Sequence, residues 1–161
     1  PVLLITGGKI TVNADGDGLD SNGNLRVEGG DITVNGPSNG GNGALDIGTE
    51  NGGAGVIAGG TLIALGASSM AENFGSTSTQ CAFLVTMNSF GAGETITITD
   101  SQGTVLYTGV TVKSANSVVF SSADLVVGET YTVTIGSSSA TVTQSSTVVG
   151  NSNGFGGFGR H

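Results

Sequence analysis

The chain has 161 residues, of which 30 are glycine, and it carries a net charge of -8 with only four basic residues. So few basic residues cannot neutralise many phosphates, which argues against binding to nucleic acid or to an anionic membrane surface. The abundance of Ser, Thr, Val and Gly favours strands and turns over helices and predicts an all-β protein.

The chain opens on Pro1–Ile5, which is typical of a strand, and no secretory leader precedes it. We therefore expect a processed or truncated product of a secreted protein. The apolar runs are too short to span a membrane, so no membrane insertion is predicted. Cys81 is the only cysteine, which excludes an internal disulfide, and its apolar neighbours favour a buried structural thiol over a reactive one.

A repeat runs through the first half of the chain. Gly-Gly pairs begin at Gly7, Gly29 and Gly59, at spacings of 22 (29 - 7) and 30 (59 - 29), and a short strand is predicted after each. Repeats of this length are typical of solenoids. A second strand candidate follows at Asn24–Val27 and again at Ala44–Ile47, which predicts a short right-handed parallel β-helix of about three coils over residues 1–80.

Stacking of these coils places equivalent residues one above the other, at the spacing of neighbouring strands. The predicted pairs are an amide ladder and two apolar columns: Asn13 with Asn35, Ile10 with Ile32, and Val12 with Val34. The longer second spacing puts extra residues in loops at residues 36–42 and 49–53, and insertions of this kind usually lie on the working face.

The pattern changes near Cys81. Residues 94–108 predict a hairpin with a turn at residues 101–103, and residues 129–143 predict a second with a turn at residues 137–139. Ser117–Phe120 predicts another strand. We interpret residues 81–149 as an antiparallel β cap that closes the C-terminal end of the solenoid. Residues 150–161 form a Gly-rich tail, expected to be disordered or docked by Phe155 and Phe158.

The most informative stretch is Asn13–Asp20, in which Asp15, Asp17 and Asp20 lie within six residues on a glycine-rich turn. Most Asp-Gly runs are solvated turns. Carboxylates that converge repel one another, however, and an oxygen-seeking ion such as Ca2+ removes that repulsion.

The repeat adds a fourth carboxylate to this stretch. Aligning the repeats on their leucines places Asp20 directly beside Asp46 in the next coil, which is unfavourable without a cation or hydrogen-bond donors. Asp15, Asp17, Asp20 and Asp46 are therefore the predicted calcium ligands. Continuing the Gly-Gly register adds Glu72 in the third coil, whereas matching Met70 to Leu45 removes it, and both alternatives stay open.

No catalytic site is predicted. His161, the only histidine, lies in the tail and cannot anchor a triad. A metal-dependent lyase needs a basic residue near the cation, and neither Lys9 nor Arg26 falls in the acidic stretch. Tyr107 and Tyr131 occupy strand positions in the cap, where a structural role is expected rather than stacking on a sugar.

Five segments together resemble a family of secreted bacterial carbohydrate-binding β-helix proteins: residues 8–23, 35–37, 41–46, 121–125 and 128–133. The resemblance extends to about Val149, although family members usually have more coils. It implies a fold related to that of pectate lyases, calcium between coils held by Asp15, Asp17, Asp20 and Asp46, and binding of cellulose or acidic sugars, in which a uronate could complete the coordination of calcium.

The expected function is therefore extracellular, calcium-stabilised binding of a plant-type or acidic polysaccharide at a bacterial cell surface, without cleavage. An alternative is a filament subunit, because the first coil ends in an uncovered edge that another copy could cover head to tail.

Overall fold

The computed structural model describes residues 1–150, which form an all-β structure, as the composition predicts. Within this range the only helical elements are single 3-10 turns at Thr49–Asn51 and Ser68–Met70. The strands, in chain order, are β1 (Val2–Ile5), β2 (Lys9–Asn13), β3 (Leu19–Ser21), β4 (Asn24–Val27), β5 (Asp31–Asn35), β6 (Leu45–Ile47), β7 (Gly55–Ile57), β8 (Thr61–Gly66), β9 (Ala82–Phe90), β10 (Thr95–Thr99), β11 (Val105–Val110), β12 (Ala115–Ser121), β13 (Thr130–Ile135), β14 (Ser138–Thr143) and β15 (Val148–Val149).

The first eight strands pair in parallel across repeats. β1, β4 and β7 form one row, β2, β5 and β8 a second, and β3 and β6 a third. Each repeat therefore contributes up to three strands instead of the two that the sequence predicted. The assignment of β4 and β6 as equivalent strands is wrong, because β4 pairs with β1 and β6 pairs with β3. Strands of three residues are too short to produce a recognisable alternation of apolar and polar residues, so β3 and β7 were not predicted as strands.

The predicted register of the second row is confirmed. Asn13 pairs with Asn35, and the two apolar pairs of the same row form as well. The Nδ2 atom of Asn35 donates to the carbonyl oxygen of Val12 at 3.3 Å, so the buried amide has a partner from the preceding repeat. The inward apolar side chains of all three rows meet in one buried cluster, which is the core of the repeat region.

The Gly-Gly pairs occupy the tight turn between the first and second rows. The second glycine of each pair has a positive φ: 90° at Gly8, 107° at Gly30 and 85° at Gly60. Residues with a Cβ rarely adopt that conformation. In the second and third pairs the first glycine lies against the backbone of the preceding repeat. A Cβ on Gly29, for example, would lie 2.6 Å from the carbonyl oxygen of Thr6. The motif therefore uses glycine for two separate reasons: the second glycine for its positive φ, and the first for close packing of the backbone against the preceding repeat.

The cap continues the second row of the repeats. β12 pairs antiparallel with β8 and with β9, and β15 joins β9, so one six-stranded sheet runs from the first repeat into the cap. The predicted boundary at residue 80 thus lies in the middle of a continuous sheet. A second sheet, in the order β11-β10-β13-β14, covers the other side of the cap core.

Both predicted hairpins form. β10 pairs with β11, and β13 pairs with β14. The second turn is shorter than predicted, because Ile135 pairs with Ser138 and leaves only Gly136 and Ser137 between the strands. Gly136 has a φ of 58°, which suits a two-residue hairpin turn. The turn was predicted at residues 137–139 because the run of serines there is typical of a turn.

The cap core is aromatic. Phe83 lies between Phe120 and Tyr131, with ring centroids 5.7 Å and 6.2 Å apart. Tyr131 is buried, and its hydroxyl accepts a hydrogen bond from the backbone N–H of Val126 at 2.8 Å, in keeping with the structural role expected for it. Cys81 is half-buried against the same core, and burial raises the pKa of its thiol, which disfavours a reactive thiolate.

The two ends of the repeat region differ. Residues 71–80 cover the last strand of the first row: the N–H of Gly75 donates to Gly55 and those of Thr79 and Gln80 donate to Ile57. At the other end β1, β2 and β3 each pair on one side only within residues 1–150. Val2 and Leu4 of β1 are 59% and 50% exposed. The expectations for Phe155, Phe158 and the rest of the tail concern residues beyond the described range.

Candidate functional site

The acidic residues of the first two repeats meet at the third row of strands. Asp20 is the central residue of β3 and Asp46 the central residue of β6, and the two are paired in register, as the alignment predicted. Asp17 lies in the loop that leads from β2 into β3. The longest loop of the second repeat, between β5 and β6, approaches the same place.

Backbone contacts fix Asp17 beside the second repeat. The N–H of Gly43 donates to Oδ1 of Asp17 at 2.9 Å, and the N–H of Gly18 donates to the carbonyl oxygen of Gly43 at 3.1 Å. Gly18 allows this close approach, because a Cβ there would overlap the carbonyl oxygen of Ala44. The Asp-Gly-Asp-Gly run thus lies against the second repeat at Gly18, which a larger residue could not replace, whereas Gly16 has open space around it.

Three of the four predicted ligands converge. One carboxylate oxygen from each of Asp17, Asp20 and Asp46 lies within 4.8 Å of the others. Asp20 is exposed and the other two are half-buried. Oxygens bound to one Ca2+ at 2.3–2.6 Å are at most about 5 Å apart, so the spacing and the donor chemistry of this group fit that ion.

Asp15 lies outside this acidic triad. Its carboxylate is fully exposed and faces Lys113, with 3.6 Å between Oδ1 and Nζ. The lysine ammonium also donates to the carbonyl oxygen of Ala14 at 2.8 Å. Lys113 was not identified from the sequence. It is a basic side chain of the cap that lies against the acidic stretch, 99 positions away from Ala14 in sequence. No local pattern in the chain signals this contact.

The pKa of Asp46 is raised to about 6. Burial contributes most, followed by a hydrogen bond with Asp17 and by the negative charges of Asp17, Asp20 and Glu50. A hydrogen bond between two carboxyl groups requires a shared proton, so without a cation the pair holds a proton at a pH where isolated aspartates have lost theirs.

Glu72 is electrostatically connected to this group. Its pKa is raised to about 7, mainly by burial and also by the charges of Asp46, Glu50 and Asp17, and a hydrogen bond to the backbone of Ile47 opposes the rise. Its carboxylate is not among the three that converge within 4.8 Å. Glu72 follows the 3-10 turn at Ser68–Met70 and belongs to none of the strands, so neither of the two alignments considered for it corresponds to a strand pairing.

The calcium-free protein is expected to lose stability as the pH rises from about 4 to about 7. Because the folded pKa values of Asp46 (about 6) and Glu72 (about 7) lie above those of ordinary carboxyl groups, the folded state binds more protons than the unfolded state in this interval. The free energy of unfolding therefore falls with increasing pH. Urea unfolding midpoints in chelator at about pH 4.5, 5.5 and 6.5 test this.

The matched control for this pH series is the double variant Asp46→Asn, Glu72→Gln, which lacks both groups. Its midpoint should vary less over the same interval. A wild-type midpoint that rises with pH in chelator would contradict the electrostatic description of the acidic triad and Glu72.

No helix within residues 1–150 has the length and apolar character needed to cross a membrane. Comparisons of the chain with protein-family models, with curated proteins and with solved structures found no significant match.

Proposed function

We propose that the protein is an extracellular, calcium-stabilised carbohydrate-binding protein that recognises a plant-type or acidic polysaccharide without cleaving it. The observation that carries this proposal is the in-register pair Asp20 and Asp46, with Asp17 beside it and ligand oxygens within 4.8 Å. Three carboxylates so close together are costly without a cation. The resemblance to secreted bacterial carbohydrate-binding proteins supports the sugar ligand and a location at the bacterial cell surface.

We also propose the finer fold that this function requires, a short right-handed parallel β-helix of about three coils with an antiparallel cap. Its support is the parallel pairing in three rows, with strands of successive repeats in register. In such a fold a calcium ion between β3 and β6 would join two adjacent coils. The ion would then both stabilise the stacking of β3 on β6 and provide a binding position for a sugar carboxylate at the same surface.

Calcium would be held by Asp17, Asp20 and Asp46. Ca2+ takes six to eight oxygens, so these three side chains leave positions for water or for a ligand carboxylate. Asp20 is exposed, which gives a uronate access to the ion. Asp15, the fourth predicted ligand, would have to turn away from Lys113 to join them.

The basic side chains near the repeats support binding without cleavage. Arg26 is paired with Glu28, and the ammonium of Lys113 donates to a backbone carbonyl and faces Asp15. A lyase reaction needs a base that is free to take a proton beside the uronate carboxylate. Lys9, at the start of β2, is in register with Asp31, at the opposite end of the strand from the loop that carries Asp17. None of these three side chains is placed for that role.

Binding to polygalacturonate tests the proposal. We expect the protein to co-sediment with calcium-loaded polygalacturonate and to remain in solution in chelator, because calcium links the carboxylates of both partners. The variant Asp20→Asn should bind roughly tenfold more weakly, whereas Asp124→Asn, the same change on an exposed cap residue, should not. Binding that is indifferent to calcium would count against a metal-bridged site, and an absorbance rise from unsaturated product would show a lyase.

A second function, a subunit of an extracellular filament formed by head-to-tail stacking, is favoured by the edges of β1, β2 and β3, which no strand among residues 1–150 covers. The unpaired backbone groups and the exposed Val2 and Leu4 form a surface that another copy could extend. Sedimentation over a wide concentration range tests this, and Leu4→Lys should suppress any assembly. A monomer at every concentration, with and without calcium, would dispose of the filament.

A further inference from the structure

A short segment of the cap contacts all three repeats. This bridging segment, residues 113–116, comprises the end of the loop after β11 and the first two residues of β12. Its contacts are the Nζ of Lys113 to the carbonyl oxygen of Ala14 at 2.8 Å, the Oγ of Ser38 to the carbonyl oxygen of Ser114 at 2.7 Å, and the N–H of Ser68 to Oδ1 of Asn116 at 2.7 Å. The three repeat residues follow β2, β5 and β8, so the segment runs across the C-terminal ends of the strands in the second row.

The contact with the first repeat differs from the other two because it carries a charge. The side chain of Lys113 is only 20% exposed, and its ammonium donates to a backbone carbonyl next to Asp15. Hydrogen bonds from a charged donor are stronger than neutral ones, particularly where water is partly excluded. The ion pair with Asp15 adds little, because that carboxylate is fully exposed.

Ala14 is therefore held from two sides. Its carbonyl oxygen accepts from Lys113, and its N–H donates to the carbonyl oxygen of Asn35 at 2.9 Å. Three residues further along, Asp17 accepts from the N–H of Gly43. The loop between β2 and β3 is thus fixed at both ends, and the cap supplies one of these three hydrogen bonds.

We propose that Lys113 is a positioning residue for the cation site, which holds the loop from Ala14 to Asp17 so that the Asp17 carboxylate stays beside Asp20 and Asp46. This inference rests on the calcium site proposed above. Since Lys113 belongs to the cap, it also links calcium binding to the attachment of the cap: a cation that fixes Asp17 strengthens the Lys113 contact, and loss of that contact weakens cation binding by the same factor.

The test is calcium titration calorimetry on the full chain, well below its unfolding temperature. The variant Lys113→Met keeps the aliphatic stem and removes the donor. It should bind calcium roughly tenfold more weakly than the wild type, as is typical when a group that orients a metal ligand is lost. Lys113→Arg retains the charge and the donor and should recover most of the affinity. Ser38→Ala, which removes the middle contact of the bridging segment, should leave the affinity unchanged.

A second measurement needs no metal. In calcium-free protein the amide of Gly43, which donates to Asp17, should exchange its hydrogen faster in Lys113→Met than in the wild type or in Ser38→Ala. If the wild type binds no calcium, the proposed function fails, and the Gly43 exchange rate still decides whether Lys113 holds the loop. If Lys113→Met binds calcium as tightly as the wild type, or leaves Gly43 exchange unchanged, Lys113 has no positioning role.

Discussion

Replacing Asp46 with asparagine is expected to raise the stability of the protein in chelator and to lower it, relative to the wild type, in calcium. In chelator at about pH 8, where Asp46 is ionised, the variant should be more stable than the wild type by about 1 kcal/mol, because it removes a like charge directly opposite Asp20. In calcium the variant should gain little, whereas the wild type gains about 2.7 kcal/mol at a calcium concentration one hundred times the dissociation constant. The ranking of the two proteins should therefore reverse when calcium is added.

Thermal and urea unfolding in calcium and in chelator measure this reversal. The control is Asp124→Asn, which makes the same change of charge on an exposed residue of the cap and should behave as the wild type in both conditions. If Asp46→Asn lowered stability in chelator, the carboxylate would have a favourable partner, and the description of an uncompensated acidic pair would be wrong. If the wild type gained nothing from calcium, magnesium or manganese, the cation site would be ruled out.

The second large effect concerns the repeat motif. Gly59→Ala should lower the free energy of unfolding by roughly 1–3 kcal/mol, the usual cost of forcing an extra carbon into a close contact. A Cβ at this position would overlap the carbonyl oxygen of Glu28 in the preceding repeat. Backbone of a stacked repeat cannot move aside without disturbing the hydrogen bonds on either side, among them that from Ala58 to Val27.

Gly7→Ala is the matched control for this substitution. Gly7 holds the equivalent position in the first repeat, where a Cβ would meet no atom within 4 Å and no positive φ is required. Its urea midpoint should equal that of the wild type or exceed it slightly, since alanine reduces the freedom of the unfolded chain. Equal losses at Gly7 and Gly59 would show that the cost comes from something other than contact between repeats.

The parts of the fold that could be predicted are those that repeat. The Gly-Gly pairs fixed which strands of the second row lie side by side, and the leucine alignment placed Asp20 opposite Asp46. Both inferences needed only the rule that similar segments stack in register. Because Asp20 and Asp46 face each other across one such stack and Asp17 lies in the same acidic stretch, all three members of the acidic triad were among the four ligands predicted from the sequence.

The parts that could not be predicted depend on contacts between dissimilar segments. Lys113 reaches Ala14 from the cap, and nothing around either residue indicates the other. Glu72 comes near Asp46 through a chain segment that leaves the repeat, so the register used for the strands no longer applied. The sheet that joins the repeats to the cap was missed for the same reason, since β12 and β8 share no sequence pattern.

That continuous sheet has a consequence for the order in which the protein can fold. Within the repeats, paired residues are between 22 (35 - 13) and 30 (65 - 35) positions apart, whereas Ser117 pairs with Gly66 at a separation of 51 (117 - 66). Closing the longer loops costs more entropy and is slower. We therefore expect β8 to pair with β5 before it pairs with residues 115–121, and synthesis from the N-terminus favours the same order. A nascent chain in that interval exposes an open strand, the kind of surface on which premature association between chains begins.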